Sequence, residues 1–145
     1  MRILHILDHS IPLHSGYTFR TCAILAQQRA LGWETYHLTS PKHTLGNEVE
    51  EHIDGFHFYR TPYSTIMQAR LPVWGYVHLM AALKRRLLEL ALTLKPDILH
   101  AHSPILNALP AIFVGRRLGI RVVYEVRSFW EDAAVDHGTS RESGL

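Results

Sequence analysis

Apolar residues occur in short runs along this chain, and most runs are followed by a turn and a helical pattern. The first run, RILHIL at residues 2–7, has the composition of a buried parallel strand. Residues 8–16 (DHSIPLHSG) contain turn formers and predict a loop. Over residues 17–31 the apolar positions recur with helical spacing, and Gly32 follows where a helix C-terminus commonly places glycine.

The next segments complete a strand–helix–strand unit and extend it. WETYHLT, residues 33–39, is a second strand-like run, and the crossover between the two strands is expected to be right-handed. Residues 49–60 carry Asp54 and Gly55 between two strand-like runs, which predicts a β-hairpin. A long helix, largely apolar on most of its sides, is predicted over residues 72–94.

The segment after this helix predicts a third core strand at about residues 97–101. Ser103 and Pro104 have the residue types of a helix N-cap and first helical position. Because Pro110 interrupts a helical pattern, the regular part of this helix is expected to begin only after Asn107.

The last regular segment, residues 121–126, follows Gly119 and predicts a fourth parallel strand. Beyond it the sequence is polar and irregular, and no helical pattern follows that would cover this strand. The alternation of apolar strands with helices predicts an α/β fold, a Rossmann-like open, mostly parallel sheet flanked by helices with a small β-hairpin insertion. We expect residues 1–145 to form a single domain that is incomplete at its C-terminal end.

The composition of the chain excludes several classes of function and location. The formal net charge is +2, which is too small an excess to indicate a nucleic-acid partner. The single cysteine, Cys22, cannot form an intramolecular disulfide, and the N-terminus lacks the pattern of a signal peptide. The apolar stretch 71–94 contains several charges, which argues against a transmembrane span. These features predict a cytoplasmic protein.

The charges of that stretch form a basic cluster, Lys84-Arg85-Arg86, in the same helix as Trp74 and Tyr76. One interpretation is contact with an anionic membrane surface. The other is an ordinary solvated helix face.

Ligands of open α/β sheets bind beyond the carboxyl ends of the strands, which selects the loops 8–17, 101–107 and 126–132. The first loop ends in a glycine, Gly16, at the predicted start of a helix, where free N–H groups attract a diphosphate. Alternatively, Gly16 serves only a tight turn. The sequence contains neither G-x-G-x-x-G nor a P-loop motif, which argues against an ordinary NAD or P-loop nucleotide site.

The other candidate side chains have competing interpretations. His100 and His102 share one face of their strand, and they indicate a cleft role, a metal site that lacks a clear third ligand, or structural hydrogen bonding. Asp8 and His9 are cleft residues by position, although Asp8 alternatively forms an Asx turn. In the third loop, Arg127 and its neighbours suit either a sugar site or an ion pair beneath a neighbouring domain.

Six segments of the chain together indicate a protein family more specifically than any one of them does alone. MRILHILDHS, the SGY loop, RALGWETYHLTSP, DGFHFYRTP, KPDILHAHSPILNALPA and RRLGIRVVYEVRSFWEDAAVDHG resemble the N-terminal region of family-four retaining glycosyltransferases of the B-type fold. The similarity covers essentially all 145 residues. It is strongest to the subgroup that accompanies exosortase systems and exopolysaccharide synthesis.

The resemblance implies two Rossmann-like domains facing a cleft, the N-terminal one for the acceptor and the C-terminal one for the nucleotide sugar. Transfer would retain the anomeric configuration and need no metal or other cofactor, with the leaving diphosphate acting as the base. It implies that Gly16 approaches the donor phosphates, that His102 is the catalytic residue facing the reacting sugar, and that Arg127 borders the same cleft. By their position in the same loops, Ser15 is predicted to join Gly16 at the donor phosphates, and the acceptor cleft is predicted to be lined by Asp8, His9, Tyr17 and Ser103 together with Arg127.

The sequence departs from the family pattern in two respects. Ser15 precedes Gly16 where many relatives have Gly-Gly. The E-x₇-E element and the basic pair that together neutralise the donor belong to the family's C-terminal domain and are absent from this sequence. Without positive charge opposite the diphosphate, the isolated chain is expected to be inactive.

The expected partners are a C-terminal domain in cis, a glycan or lipid-linked acceptor, the inner face of the membrane, and a second copy of the chain through the uncovered sheet edge. A stand-alone nucleotide-binding or regulatory α/β module is the alternative.

Overall fold

The computed structural model describes residues 1–45, 48–62 and 72–127, and of residues 72 and 73 only the backbone. In chain order its elements are β1 (Arg2–Leu7), α1 (Gly16–Ala30), β2 (Glu34–Thr39), β3 (Glu50–Ile53), β4 (Phe56–Tyr59), α2 (Pro72–Leu94), β5 (Ile98–His102), α3 (Ile105–Leu118) and β6 (Arg121–Glu125). The strands form one six-stranded sheet in the order β3-β4-β2-β1-β5-β6. Only the β3–β4 pair of this sheet is antiparallel, so the predicted α/β class with a mostly parallel sheet is confirmed.

The central strand β1 divides its side chains between two different environments. Leu4 and Ile6 belong to the main apolar core, which also contains buried residues of α2 and α3. His5 points to the opposite face, where its Nε2 lies 2.8 Å from the Oε1 of Gln28 in α1. In the parallel register His5 is opposite His37 of β2 and His100 of β5. The sheet therefore has an apolar face under α2 and α3 and a histidine-rich face under α1.

Most predicted boundaries agree with the structure to within one residue. The hairpin turn is confirmed, with positive φ angles of 51° at Asp54 and 78° at Gly55, as a two-residue type I′ turn requires. Gly32 and Gly119 follow or cap their helices with φ angles of 80° and 70°, which is the left-handed conformation that glycine adopts without steric cost.

The predicted start of α3 is wrong. The helix begins at Ile105 and includes Pro110, and its N-cap is Pro104, which makes no side-chain capping bond. Asn107 stabilises this first turn, because its Nδ2 donates to the carbonyl oxygen of His102 at 2.9 Å. The helix thus begins three residues before the predicted point, in spite of the proline.

Ser103 does not cap α3 as predicted. Its Oγ lies 3.2 Å from the carbonyl oxygen of Glu125 and accepts a hydrogen bond from the backbone N–H of Arg127 at 2.8 Å. Ser103 therefore joins the ends of β5 and β6.

A buried arginine holds the β3–β4 hairpin against the loop after β1. The Arg60 guanidinium donates to Glu51 in β3 at 2.7 Å, to the Oγ of Ser10 at 2.6 Å and to the carbonyl oxygen of Ile11 at 3.1 Å. Its side chain is only 7% exposed. The predicted hairpin insertion thereby fixes the path of the loop that carries candidate site residues.

Positions 128–132 of the predicted loop 126–132 lie outside the described residues. Within the described ranges, every helix is too short or too polar to cross a membrane.

Candidate functional site

The N-terminus of α1 opens onto the edge of the sheet where the parallel strands end. Ser15 is the N-cap, and its Oγ accepts a hydrogen bond from the backbone N–H of Thr18 at 3.1 Å. Gly16 is exposed, and a Cβ at this position would have no atom within 4 Å. The first turn contains no acidic residue. Because the first N–H groups of a helix have no partner within it, this end of α1 suits an anion.

Tyr17, in the first turn of α1, connects the strand ends on either side of it. Its hydroxyl oxygen accepts a hydrogen bond from the backbone N–H of Asp8 at 3.0 Å. Its ring lies 4.6 Å from the ring of His9 and 4.2 Å from the guanidinium carbon of Arg127. The loop after β1 and the end of β6 therefore meet at this aromatic ring.

Arg127 joins the end of β6 to both neighbouring elements. Its Nη1 donates to the carbonyl oxygen of Tyr17 and to the Oγ1 of Thr21, each at 2.9 Å. Its Nε lies 3.2 Å from the Oε1 of Glu125, and its backbone N–H donates to Ser103. The side chain is 7% exposed. The structure thus brings the ends of β1, β5 and β6 together at one rim around the α1 N-terminus.

His102 lies directly beneath this rim and has no exposed surface. Its Nε2 is 2.8 Å from the Nδ1 of His5, and its Nδ1 contacts the guanidinium of Arg127 and lies 3.2 Å from Glu125. Burial, followed by the neighbouring His100 and His5, holds the pKa of His102 well below its ordinary value, so the ring is neutral. The resemblance places this imidazole against the reacting sugar, whereas both of its ring nitrogens contact protein groups here.

Three imidazoles of the histidine-rich face form one cluster. Ring nitrogens of His5, His100 and His102 lie within 4.8 Å of one another, and the stacked rings of His100 and His102 have their centroids 4.1 Å apart. His5 supplies the third ring nitrogen that a metal site would need beside His100 and His102, and the sequence pattern alone did not identify it. Two observations disfavour a cation there: His5 and His102 already bond to each other, and the Arg127 guanidinium contacts His102. The absence of a metal from the reaction stays a prediction.

Asp8, His9 and Ser15 form a second polar cluster, which is partly open to solvent. The Nε2 of His9 is 2.9 Å from the Oγ of Ser15, and its Nδ1 is 3.4 Å from the Oδ2 of Asp8. The other carboxylate oxygen, Oδ1, is 3.4 Å from the Nζ of Lys42. Asp8 is therefore linked to two side chains, and its role in the cleft stays a prediction.

Sequence reasoning missed three members of the site: His5, Thr21 and Gln28. A signal for His5 was present, since a histidine interrupts the otherwise apolar interior of RILHIL. Thr21 and Gln28 have ordinary residue types for an exposed helix face, and only the packing of α1 on the sheet identifies them.

Comparison with known proteins shows which solved structures share this fold. No curated protein matches the chain. Sucrose-phosphate synthase from Thermosynechococcus elongatus is similar with a TM-score of 0.67 and 12% identity, over 99% of this chain and 36% of that one. A calicheamicin glycosyltransferase is similar with a TM-score of 0.53 and 10% identity, over 98% of this chain and 38% of that one.

A third similar structure is the C-terminal domain of a hydrogenase from Pyrococcus furiosus, with a TM-score of 0.58 and 15% identity, over 86% of this chain and 90% of that domain. At identities this low, the structural similarity shows the fold alone. That fold is the fold of one part of B-type glycosyltransferases. The chain spans only about a third of the first two proteins, with 36% and 38% of their lengths covered.

A family relationship is shown by the sequence itself. The family described as "Glycosyl transferase 4-like domain" matches residues 15–144, which is nearly the whole chain. The match begins at the N-cap of α1 and includes the ends of β5 and β6 that meet there. The chain therefore belongs to the glycosyl transferase 4-like domain family.

Proposed function

We propose that this chain is the acceptor-side, N-terminal domain of a retaining glycosyltransferase that moves a sugar from a nucleotide-sugar donor to a glycan or lipid-linked acceptor. Its family makes it a glycosyltransferase-type domain. The observation that carries the proposal is the meeting of three strand ends at the N-terminus of α1, where Gly16 is open to solvent. The resemblance to exopolysaccharide enzymes suggests the acceptor class.

The roles of the rim residues follow from their exposure. Ser15 and Gly16 lie at the open end of α1 and are proposed to receive the donor diphosphate. Asp8, His9 and Tyr17 are partly exposed beside them and form the acceptor side.

Two rim residues, Ser103 and Arg127, are buried, and we propose a different role for them than for the exposed ones. Ser103 is 8% exposed and the Arg127 side chain 7%, so we assign them to shaping the acceptor side rather than to broad contact with a ligand. His102 supports Arg127 and Glu125 from below, and in the proposed enzyme its contribution to turnover is made through them.

The donor side is proposed to lie in a second domain. A departing diphosphate needs positive charge, and the rim guanidinium of Arg127 is already paired with Glu125. We therefore expect residues 1–145 alone to be inactive, and the complete enzyme to work without a metal ion.

The direct test uses the full-length protein with UDP-glucose, UDP-N-acetylglucosamine and GDP-mannose, and with a membrane extract as the source of acceptor. Expected results are nucleoside diphosphate release that persists in EDTA, and a product with the donor's anomeric configuration by NMR. Absence of transfer from every donor would contradict the proposed function, and an inverted product would contradict retention.

One observation favours the alternative of a stand-alone nucleotide-binding or regulatory module. The similarity to the hydrogenase domain covers 90% of that domain, so a unit of about this size exists in another context. Calorimetry of residues 1–145 with UDP, GDP and NAD separates the two proposals. Micromolar binding to this chain alone would favour the module, whereas the acceptor-side domain is expected to bind each of them only weakly.

We also propose that the outer face of α2 and α3 contacts the inner face of the membrane. An apolar groove there is lined by Val77, Met80, Ala81, Leu109 and Phe113. Lys84 lies 4.3 Å over the Phe113 ring, and Trp74 is 59% exposed. Cosedimentation with phosphatidylglycerol vesicles, but not with phosphatidylcholine vesicles, is expected and should be lost in Lys84→Glu.

A further inference from the structure

A continuous line of hydrogen bonds connects α1 to the rim through the histidine-rich face of the sheet. The Oε1 of Gln28 lies 2.8 Å from the Nε2 of His5, and the Nδ1 of His5 lies 2.8 Å from the Nε2 of His102. The Nδ1 of His102 in turn contacts the guanidinium of Arg127. These four side chains form the imidazole chain, which joins α1, β1, β5 and the end of β6.

Arg127 fixes the direction of every hydrogen bond in the imidazole chain. A guanidinium can only donate, so the Nδ1 of His102 accepts from it. Burial lowers the pKa values of His5 and His102, so each ring is neutral at pH 7 and carries a single proton. The proton of His102 is therefore on Nε2 and points to His5, whose own proton is on Nε2 and points to the amide oxygen of Gln28. Each donor in the chain thus meets one acceptor.

The nearby carboxylate of Glu125 does not reverse this order. It lies 3.2 Å from the Nδ1 of His102, which is farther away than the guanidinium. Its Oε1 accepts from the Nε of Arg127 at 3.2 Å, and its Oε2 is also 3.2 Å from the Nε2 of His100, a nitrogen that can donate. Both carboxylate oxygens therefore have a donor other than His102.

We propose that Gln28 and His5 are positioning residues of the site. The amide oxygen of Gln28 selects the tautomer of His5 with its proton on Nε2, and His5 then holds the His102 ring in the tautomer and orientation that accept from Arg127. In a neutral imidazole, the bond made by one nitrogen decides what the other nitrogen can do. This inference rests on the proposed function, in which His102 and Arg127 belong to the site. No proton moves along the chain.

A structural role and a positioning role make different demands on position 28. For packing alone, a side chain of the same length is sufficient, whereas positioning requires an acceptor that faces His5. Gln28→Met keeps the length without a strong acceptor, and Gln28→Glu keeps the acceptor oxygen. Because Gln28 is partly exposed, both variants are expected to fold. The matched control is Gln27→Met, at the exposed neighbouring position of α1.

The first measurement is the kinetics of these variants in the full-length enzyme. Gln28→Met is expected to lower kcat about tenfold or more with the donor KM within about twofold, because the site residues lose their fixed orientation. Gln28→Glu should retain kcat within about threefold, since it still presents an acceptor to His5. Gln27→Met should behave as the wild type.

The second measurement is NMR of the full-length protein labelled with ¹⁵N in its histidines, which distinguishes the two tautomers directly. At pH 7 both His5 and His102 are expected as neutral rings with the proton on Nε2. The His5 signal should shift in Gln28→Met and not in Gln27→Met, which identifies the ring bonded to position 28. A proton on the Nδ1 of either ring would overturn the proposed direction of the chain, whatever the kinetics.

The outcomes separate this inference from the proposed function. If the wild-type enzyme transfers sugar and Gln28→Met keeps its kcat, Gln28 is not a positioning residue and the function stands. The same holds if Gln28→Met and Gln28→Glu lose kcat equally, or if Gln28→Met lowers only the Tm. If the wild-type enzyme transfers no sugar from any donor tested, the proposed function fails and the positioning role fails with it, while the tautomers still report on the hydrogen bonds.

Discussion

At the scale of single residues, the rim depends on side chains that connect distant parts of the chain. Arg127 is the clearest case, because it bonds to Tyr17 and Thr21 in α1 and to Glu125 in its own strand end. A buried charge with satisfied hydrogen bonds contributes modestly to stability, but removal of one partner leaves the others uncompensated.

Arg127→Met is therefore expected to lower the free energy of unfolding by about 3 kcal/mol, because Glu125 and His102 lose a buried charged partner. The matched control is Arg20→Met. Arg20 contacts the same carboxylate at 3.0 Å, but its side chain is 58% exposed, so the loss should be about 0.5 kcal/mol or less. Urea denaturation of both variants measures the difference, and equal losses would show that burial does not decide the contribution.

Gly16 offers a second test at this scale. A Cβ at this position meets no protein atom within 4 Å, so Gly16→Ala is expected to leave the Tm within about 2 °C of the wild type. In the full-length enzyme the same methyl group lies where a diphosphate would approach the backbone. The donor KM is expected to rise about tenfold, and an unchanged KM would remove Gly16 from the phosphate site.

At the scale of elements, α3 packs closely on β6 through a glycine. A Cβ at Gly115 would overlap the side chain of Val122 and lie 2.8 Å from the carbonyl oxygen of Ile120. The carbonyl belongs to the backbone that links the two elements and cannot move independently of them. This contact sets how closely the helix approaches the strand that carries Glu125.

Gly115→Ala is accordingly expected to destabilise the protein by about 1–3 kcal/mol, the range for overpacked cores. The double variant Gly115→Ala/Val122→Ala should recover part of the loss if the side chain is the main obstacle. Thermal denaturation of the two variants tests this, and a single variant as stable as the wild type would contradict the close packing.

At the scale of the whole molecule, burial of neutral histidines links stability to pH. Burial is the main cause that lowers the pKa of His37 to about 3 and of His43 to about 4, and it also lowers the pKa values of His5 and His102. The ordinary value for each is 6.5. As the pH falls below that value, the unfolded chain binds protons that the folded chain does not.

The stability of the fold is therefore expected to be complete above about pH 6.5 and to decrease progressively below it, by about 1.4 kcal/mol per pH unit for each such histidine. For His43 the loss should continue to about pH 4, where its folded form also binds a proton. Urea denaturation at pH 7, 5.5 and 4.5 measures the slope. His43→Leu should make the slope shallower, and an unchanged slope would show that the pKa of His43 is not lowered in the folded protein.

Self-association through the sheet edge also belongs to this scale and stays a prediction. In the described residues β6 is the last strand of the sheet, with Val123 46% exposed and Tyr124 37% exposed. Sedimentation over a concentration range checks it.

The order and type of the elements were determined by the sequence alone. Periodicity, turn residues such as Asp54 and Gly55, and glycine at helix ends act within a few residues, so they can be read locally. The start of α3 was an exception, because Pro110 is tolerated inside a helix whose first turn is held by Asn107.

What the tertiary structure decided was which side chains meet. His5 faces His37 and His100 only because β1 lies between β2 and β5, and a strand's neighbours are set by sheet topology rather than by its own residues. In the same way, Arg127 reaches Tyr17, 110 positions away, because parallel strands end at one edge. The sequence therefore determined which residues are available for chemistry, while packing decided that His102 is enclosed and that His9 is partly exposed.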